Sequence, residues 1–226
     1  MIRNRRLLAG LIATGALILA GCANTRPAPI EEWDGLVLRP GTRLGAVFVK
    51  PDADIVAFKS VKLDPVQISF AANWDPNSDR RSQSRRLNAA DIAAIRERLA
   101  ELFQETFRAE LARGGYTLVQ ESGPDTLRVS PSIVDLFITA PADAAVGRSR
   151  TYTSQTGRMT LVVELRDSVT GELLARAVDR RGGRSTGQLQ WTNRVTNLAD
   201  AQQEISVWAV ALRRALDEMA AKAAAN

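Results

Sequence analysis

The most regular apolar pattern in the chain runs from Asn88 to Arg113. Ile92, Ile95, Leu99, Leu102, Phe103, Phe107 and Leu111 recur three or four positions apart, which puts them on one face of a helix. Asn88 stands where the first backbone N–H groups need an acceptor, and Asp91 three residues on can return a bond to the cap. Arg113-Gly114-Gly115 ends the run with glycine, which suits a helix C-terminus. A second stripe, Ile205, Trp208, Leu212, Leu216 and Met219, predicts a helix over about 198–223, opened by Asn197 and Asp200. Both helices then begin Asn-x-x-Asp, and Trp208 is expected in the core.

Between and before these helices the period changes to two. Residues 44–50 read as a short strand. In 59–70, Val61, Leu63, Val66 and Ile68 are inward candidates, with Pro65 shifting the phase at an edge or a bulge. Residues 116–119 and 126–139 are further strands, the longer one bulged near Pro131. Met159, Leu161, Val163 and Leu165 alternate on one face of a hairpin whose reversal at 168–172 contains Gly171, free to take positive φ. Two polar stretches, 73–87 and 140–157, read as long loops.

The predicted order is β-β-α-β-β-β-β-α. Hairpins dominate its second half, which argues against a repeating βαβ fold. The expectation is an α+β domain: one twisted mixed, largely antiparallel sheet with two long helices packed on one face. The other face is then solvated, covered by the long loops, or used for binding.

The N-terminus has a different character. Arg3, Arg5 and Arg6 precede a 14-residue apolar run from Leu7 to Ala20, too short to span a bilayer comfortably. Then follows Leu19-Ala20-Gly21-Cys22, which resembles the bacterial lipobox. That resemblance implies cleavage before Cys22, diacylation of its thiol and acylation of the new amine. Several long chains hold a protein at a bilayer far more firmly than one. On this reading residues 1–21 are a lipoprotein signal peptide, 22–43 an acylated N-terminus and tether, and 44–226 a single periplasmic domain. Pro27, Pro29 and Pro40 and the lack of periodicity mark the tether, with Trp33 and Leu36 free to dock on the domain. The sorting pattern uses Asp just after the cysteine for inner-membrane retention. Ala23 and Asn24 stand there, which implies the periplasmic face of the outer membrane in a Gram-negative cell.

Composition narrows the chemistry. The formal charge is +5, but three of the 30 basic residues lie in the leader, leaving 27 against 25 acidic. A mature balance of +2 gives no case for nucleic acid as a partner. The chain has no histidine, and Cys22 is its only cysteine. With that thiol acylated, Ser-His-Asp and Cys-His catalysis, zinc–thiolate sites and disulfides are excluded. An enzyme would have to use carboxylate pairs, a Ser-Lys dyad or an oxygen-ligated metal. Asp52 and Asp54 form a DxD that reads either as a cation site or as a solvated turn. Asp135, inside "SIVDLFI", faces out, pairs with an arginine, contacts a partner or acts catalytically. No cofactor, metal or catalytic residue is assigned.

Four blocks, "VKPDADIVAFKSVKLDPVQISF", "GGYTLVQESGPDTLRVSPSIVDL", "VELRDSVTGELLARAVDRRGG" and "WAVALRRALDEM", resemble the bacterial lipoproteins of domain-of-unknown-function family 3313. The resemblance spans about residues 44–221. It implies an envelope lipoprotein and carries over no catalytic residues. The functional expectation is a non-enzymatic interaction or assembly module, anchored through Cys22 and meeting an envelope protein. Its basic segment, with Arg80, Arg81, Arg85 and Arg86, is the partner contact, and a second basic run lies at 180–184. A carrier of a lipid or small apolar ligand, with a groove between the sheet and 140–157, is the alternative; a carboxylate-dependent enzyme is the next.

Overall fold

The computed structural model describes residues 30–55, 58–77, 86–138, 151–153, 157–182, 190–192 and 194–224. Strands β1 (Glu32–Trp33), β2 (Leu36–Leu38), β3 (Ala46–Val49), β4 (Ser60–Leu63) and β5 (Gln67–Phe70) precede helix α1 (Ala89–Arg113). Then come β6 (Thr117–Leu118), β7 (Thr126–Ile138), β8 (Thr151–Thr153), β9 (Gly157–Asp167), β10 (Leu173–Gly182), β11 (Gln190–Thr192) and helix α2 (Arg194–Ala224).

Nine strands form one sheet in the order β1-β2-β3-β10-β9-β7-β4-β6, with β5 also on β7. The pairings from β1 to β7 are antiparallel, while β4, β5 and β6 join in parallel. Long α1 makes that parallel return, since its chain must cross back over the sheet before β6 and β7 can run alongside β4. The class is α+β.

Alternation decides which side is covered. Met159, Leu161, Val163 and Leu165 on β9 face the helices with Leu127, Val129 and Ile133 on β7. They share one core with Leu99, Phe103, Phe107 and Leu111 of α1 and Ile205, Trp208, Leu212 and Leu216 of α2. Both helices thus pack on one face, as the stripes require. Between them Arg213 of α2 bonds Glu110 of α1 at 2.7 Å. The Tyr116 phenol donates to Asp217 at 3.0 Å. Burial first, then that bond, pushes the phenol far above its usual pKa.

The α1 start matches its sequence signature. Asn88 Oδ1 accepts from Ala90 N and Asp91 N, and Asp91 Oδ2 accepts from Asn88 N, a full capping box. For α2 the expectation needs correction. The helix begins at Arg194, so Asn197 lies inside its first turn and does not cap it. Pro65 does interrupt 59–70, splitting it into β4 and β5 along the same edge of β7.

The bulge in β7 is not at Pro131, which pairs in register with Val163. It sits at Asp135, which takes φ 54°, where the register jumps from Val134 to Phe137. Pro131 is tolerated because its missing N–H falls where β4 has ended and β5 has not begun. Two further stretches hold unforeseen strands. Residues 151–153, inside a predicted loop, pair with 190–192 as a separate two-stranded sheet. Residues 32–38, assigned to the tether, form a hairpin that adds to the main sheet through β3. Its turn is Asp34-Gly35, both at positive φ (54° and 76°), as a two-residue hairpin of primed type requires.

Candidate functional site

The sheet face opposite the helices carries the polar phase of the same strands. Asp34, Arg176, Glu164, Ser130 and Asp64 form a row across it. Arg176 and Glu164 are cross-strand partners, as are Glu164 and Ser130. The Arg176 guanidinium donates to Glu164 Oε1 at 3.0 and 2.8 Å and to Asp34 Oδ2 at 2.7 Å. Arg166 donates to Glu164 Oε2 at 3.0 and 2.7 Å and to the Gly171 carbonyl at 2.8 Å. At the far end of the row Asp64 Oδ2 accepts from Arg128 Nε at 2.7 Å and Ser130 Oγ at 2.6 Å. Arg128 and Arg166 face each other across the strands, so each like charge is held by its own carboxylate.

One end of this row is roofed. The β1–β2 hairpin lays Trp33 over Arg176, with the guanidinium carbon 4.3 Å from the ring centroid. Trp33 meets Phe48 edge to face at 5.7 Å, and Leu36 and Phe48 are buried beneath. Arg176 is 8% exposed. Burial opposes the charge on both partners. Hydrogen bonds from Arg176 and Arg166 outweigh it at Glu164, whose carboxyl sits below its usual pKa. Bonds to Asp34 and Glu164 do the same for Arg176, which is raised. Near the other end lies an open depression of about 320 Å³, lined by Asp64, Pro65, Gln67, Arg128, Ser130 and Ser132. The groove expected between the sheet and residues 140–157 involves residues that lie mostly outside those described.

The helix-side face has a buried carboxylate of its own. Asp179 Oδ2 accepts from Trp208 Nε1 at 2.8 Å and Arg181 Nε at 2.7 Å, and Oδ1 from Gly45 N at 2.9 Å. Arg181 reaches Glu204 of α2 at 3.4 Å. A Cβ on Gly45 would stand 3.2 Å from both Asp179 Oδ1 and the Val178 carbonyl, so glycine permits that close approach.

The predicted partner segment has a defined base. Asn77 Nδ2 donates to the Leu87 carbonyl at 3.1 Å, and its Oδ1 accepts from Leu87 N at 2.8 Å. One side chain therefore joins the two ends of the stretch 78–86. Beside it Trp74 stacks on Phe70 at 4.1 Å and donates Nε1–H to the Ile138 carbonyl at 3.0 Å. Arg96 lies over the Phe70 ring at 5.6 Å. Arg86 is exposed. Arg80, Arg81 and Arg85 lie outside the described residues, as do Leu19, Ala20, Gly21 and Cys22.

The remaining candidates resolve simply. Asp52 and Asp54 are exposed in a turn, and Asp135 is exposed on its bulge. No three of His, Cys, Asp and Glu come together as a metal site among the described residues. No described helix is long and apolar enough to cross a membrane. The Glu164–Arg176 row was not singled out from the sequence, although Glu164 and Arg166 fill the polar phase of β9.

These features define a two-layer α+β domain with helices on one face and an ion-paired open face on the other. A family profile described as "Protein of unknown function (DUF3313)" matches residues 35–212, and the chain belongs to that family. Among curated proteins nothing matches. Several solved structures are similar at low identity. The PelC dodecamer from Paraburkholderia phytofirmans is 12% identical, with 74% of this chain and 96% of that one covered at a TM-score of 0.37. A minor lipoprotein from Acinetobacter baumannii is 9% identical, with 70% and 91% covered at 0.34.

Proposed function

We propose that this chain is a bacterial envelope lipoprotein, anchored through Cys22 at the periplasmic face of the outer membrane, that works as a non-enzymatic interaction module. The observation that carries the reading is the pinned base of the basic segment. Asn77 bonds Leu87 across a stretch whose sequence holds Arg80, Arg81, Arg85 and Arg86, beside the stacked Phe70–Trp74 pair. A charged segment with its ends joined brings its charges together, and that charge steers an acidic protein partner. The acids on the outer face favour the same reading. Glu164 is held by two arginines below its usual pKa, and a carboxylate held in this way makes a poor proton carrier near neutral pH. Asp64 is hydrogen-bonded by Arg128 and Ser130. The depression beside Asp64 is open and holds Asp64 and Arg128 in its lining, which favours the interaction reading over an apolar carrier.

The test is in-cell cross-linking of the anchored protein, compared with a variant in which Arg80, Arg81, Arg85 and Arg86 are all Gln. Loss of the cross-linked neighbour at an unchanged melting temperature supports the reading. An unchanged neighbour with a lowered melting temperature makes the segment structural.

A further inference from the structure

The anchor reading leaves open which side of the domain meets the membrane. Seven residues, hence eight Cα-to-Cα steps, separate Cys22 from Ile30, where the described chain begins. Fully extended, those steps reach at most about 26–29 Å. The chain enters the sheet at its β1 edge, where Leu38 N bonds the Glu31 carbonyl and Arg39 N bonds the Val47 carbonyl. From β1 to β6 the sheet order has seven interstrand steps. At ~4.8 Å each they span about 34 Å, more than the tether can reach from the near edge. The β1–β2 flank is therefore the side held closest to the anchor.

That flank also has the composition of an interfacial contact. Five large apolar side chains are exposed among the described residues, and three sit here: Ile30 at 64%, Val37 at 44% and Trp33 at 39%. Val37 of β2 is paired with Glu32 and Trp33 of β1 with Leu36, so Val37 and Trp33 point to opposite faces of the hairpin and the sheet edge presents apolar surface to both sides. Exposed Arg39 and Arg43 follow in sequence and suit lipid phosphates. Exposed Glu31 and Glu32 flank the apolar group and oppose deep insertion. A tryptophan with an apolar body and a polar N–H, beside arginines and short of the hydrocarbon, matches the headgroup layer.

We propose that the β1–β2 flank rests on the headgroup surface of the membrane that holds the anchor. This rests on the reading of Cys22 as acylated. It deepens the functional reading by placing the Asn77–Leu87 base, beyond β7, on the flank away from the bilayer, where a protein partner has access.

The chain has no second cysteine, so an added thiol is labelled alone once Cys22 is acylated. The acylated full chain is reconstituted in phosphatidylcholine vesicles containing a headgroup-spin-labelled lipid. A polarity-sensitive dye is placed at Val37→Cys, with Ile30→Cys as a second reporter, and at Thr117→Cys, exposed on the far-edge strand β6, and Arg86→Cys as distant sites. The expectation is a blue shift and about twofold or greater quenching at 30 and 37 relative to 117 and 86, as for an interfacial against an aqueous position. Equal quenching at all four sites, none at 30 and 37, or stronger quenching at 86 overturns the proposal while the anchor stands. Wild-type protein that fails to float with the vesicles overturns the anchor reading, and the proposal with it.

Discussion

The two faces of the central sheet each hold a carboxylate on arginine, and they do so under different roofs. On the helix side Asp179 is enclosed by α2, with Trp208 donating to it from a fully buried position. On the outer side Glu164 is enclosed by other charged groups, with Trp33 of a four-strand-distant hairpin as partial cover. Asp179 is therefore part of the apolar core and its loss strands donors in a dry place. Glu164 belongs to an ion network whose surroundings still admit water. A buried charge with one partner removed is costly, whereas a half-exposed one is partly rescued by solvent. The contrast predicts graded effects.

The largest is Trp208→Ala. It empties a fully enclosed site and removes a donor to Asp179, so urea unfolding should show a loss of about 3–5 kcal/mol. Asp179→Ala comes next, at roughly 2–4 kcal/mol, because Trp208 Nε1 and Gly45 N lose their acceptor and Arg181 is left with only the longer contact to Glu204. A loss under about 0.5 kcal/mol would show that the helix side is no drier than the outer side, the usual scale of surface substitutions.

Glu164→Gln should cost less, about 1–2 kcal/mol at neutral pH, since Arg176 keeps Asp34. Its pH dependence is the sharper readout. The folded carboxyl titrates below the ordinary value of 4.5, so the unfolded chain takes up the proton first as pH falls. The contribution is fully present above that ordinary value and disappears as pH drops through the lower folded value. The Gln variant should therefore lose part of the wild type's acid-side decline, seen as a shallower slope of unfolding free energy below pH 4.5. Identical slopes would mean that Glu164 is not held by its arginines. Smallest is Trp33→Ala, at about 1 kcal/mol from the lost ring over Arg176 and against Phe48. Hydrogen exchange should rise in β1 and β2 and stay unchanged in β9.

How much of this was legible follows the range of the interactions. The α1 capping box and stripe, the β9–β10 hairpin and its Gly171 turn are encoded within a few residues, and each stands as read. The side facing the helices was legible from Met159, Leu161, Val163 and Leu165 alone. The Asp179 site was not, because its strand reads Ala175, Ala177, Asp179 on the core side and Trp208 lies 29 positions away. The α2 start was placed at a local Asn-x-x-Asp signal, but the helix extends one turn further back. The β1–β2 hairpin did carry a local signal, the Asp34-Gly35 pair, hidden among prolines and short of the residues needed for periodicity. For the functional residues the split is similar. The expected leader and the Cys22 anchor rest on a contiguous pattern that lies outside the described residues. The base of the arginine segment depends on Asn77 bonding Leu87 across ten positions.

The pairing of β3 with β10 has a kinetic consequence. Val49 sits opposite Ala175, 126 positions later, and β2 joins the sheet only through β3. Closing so long a loop is entropically expensive, and the nearer β2–β3 pairing alone makes only a short meander that still has to find β10. The first strands of the chain must therefore wait until the β9–β10 hairpin exists. They dock late and are the first to peel away, so the Asp34–Arg176 bond and the Trp33 roof close the folding reaction rather than start it. Refolding followed by Trp33 should lag refolding followed by Trp208.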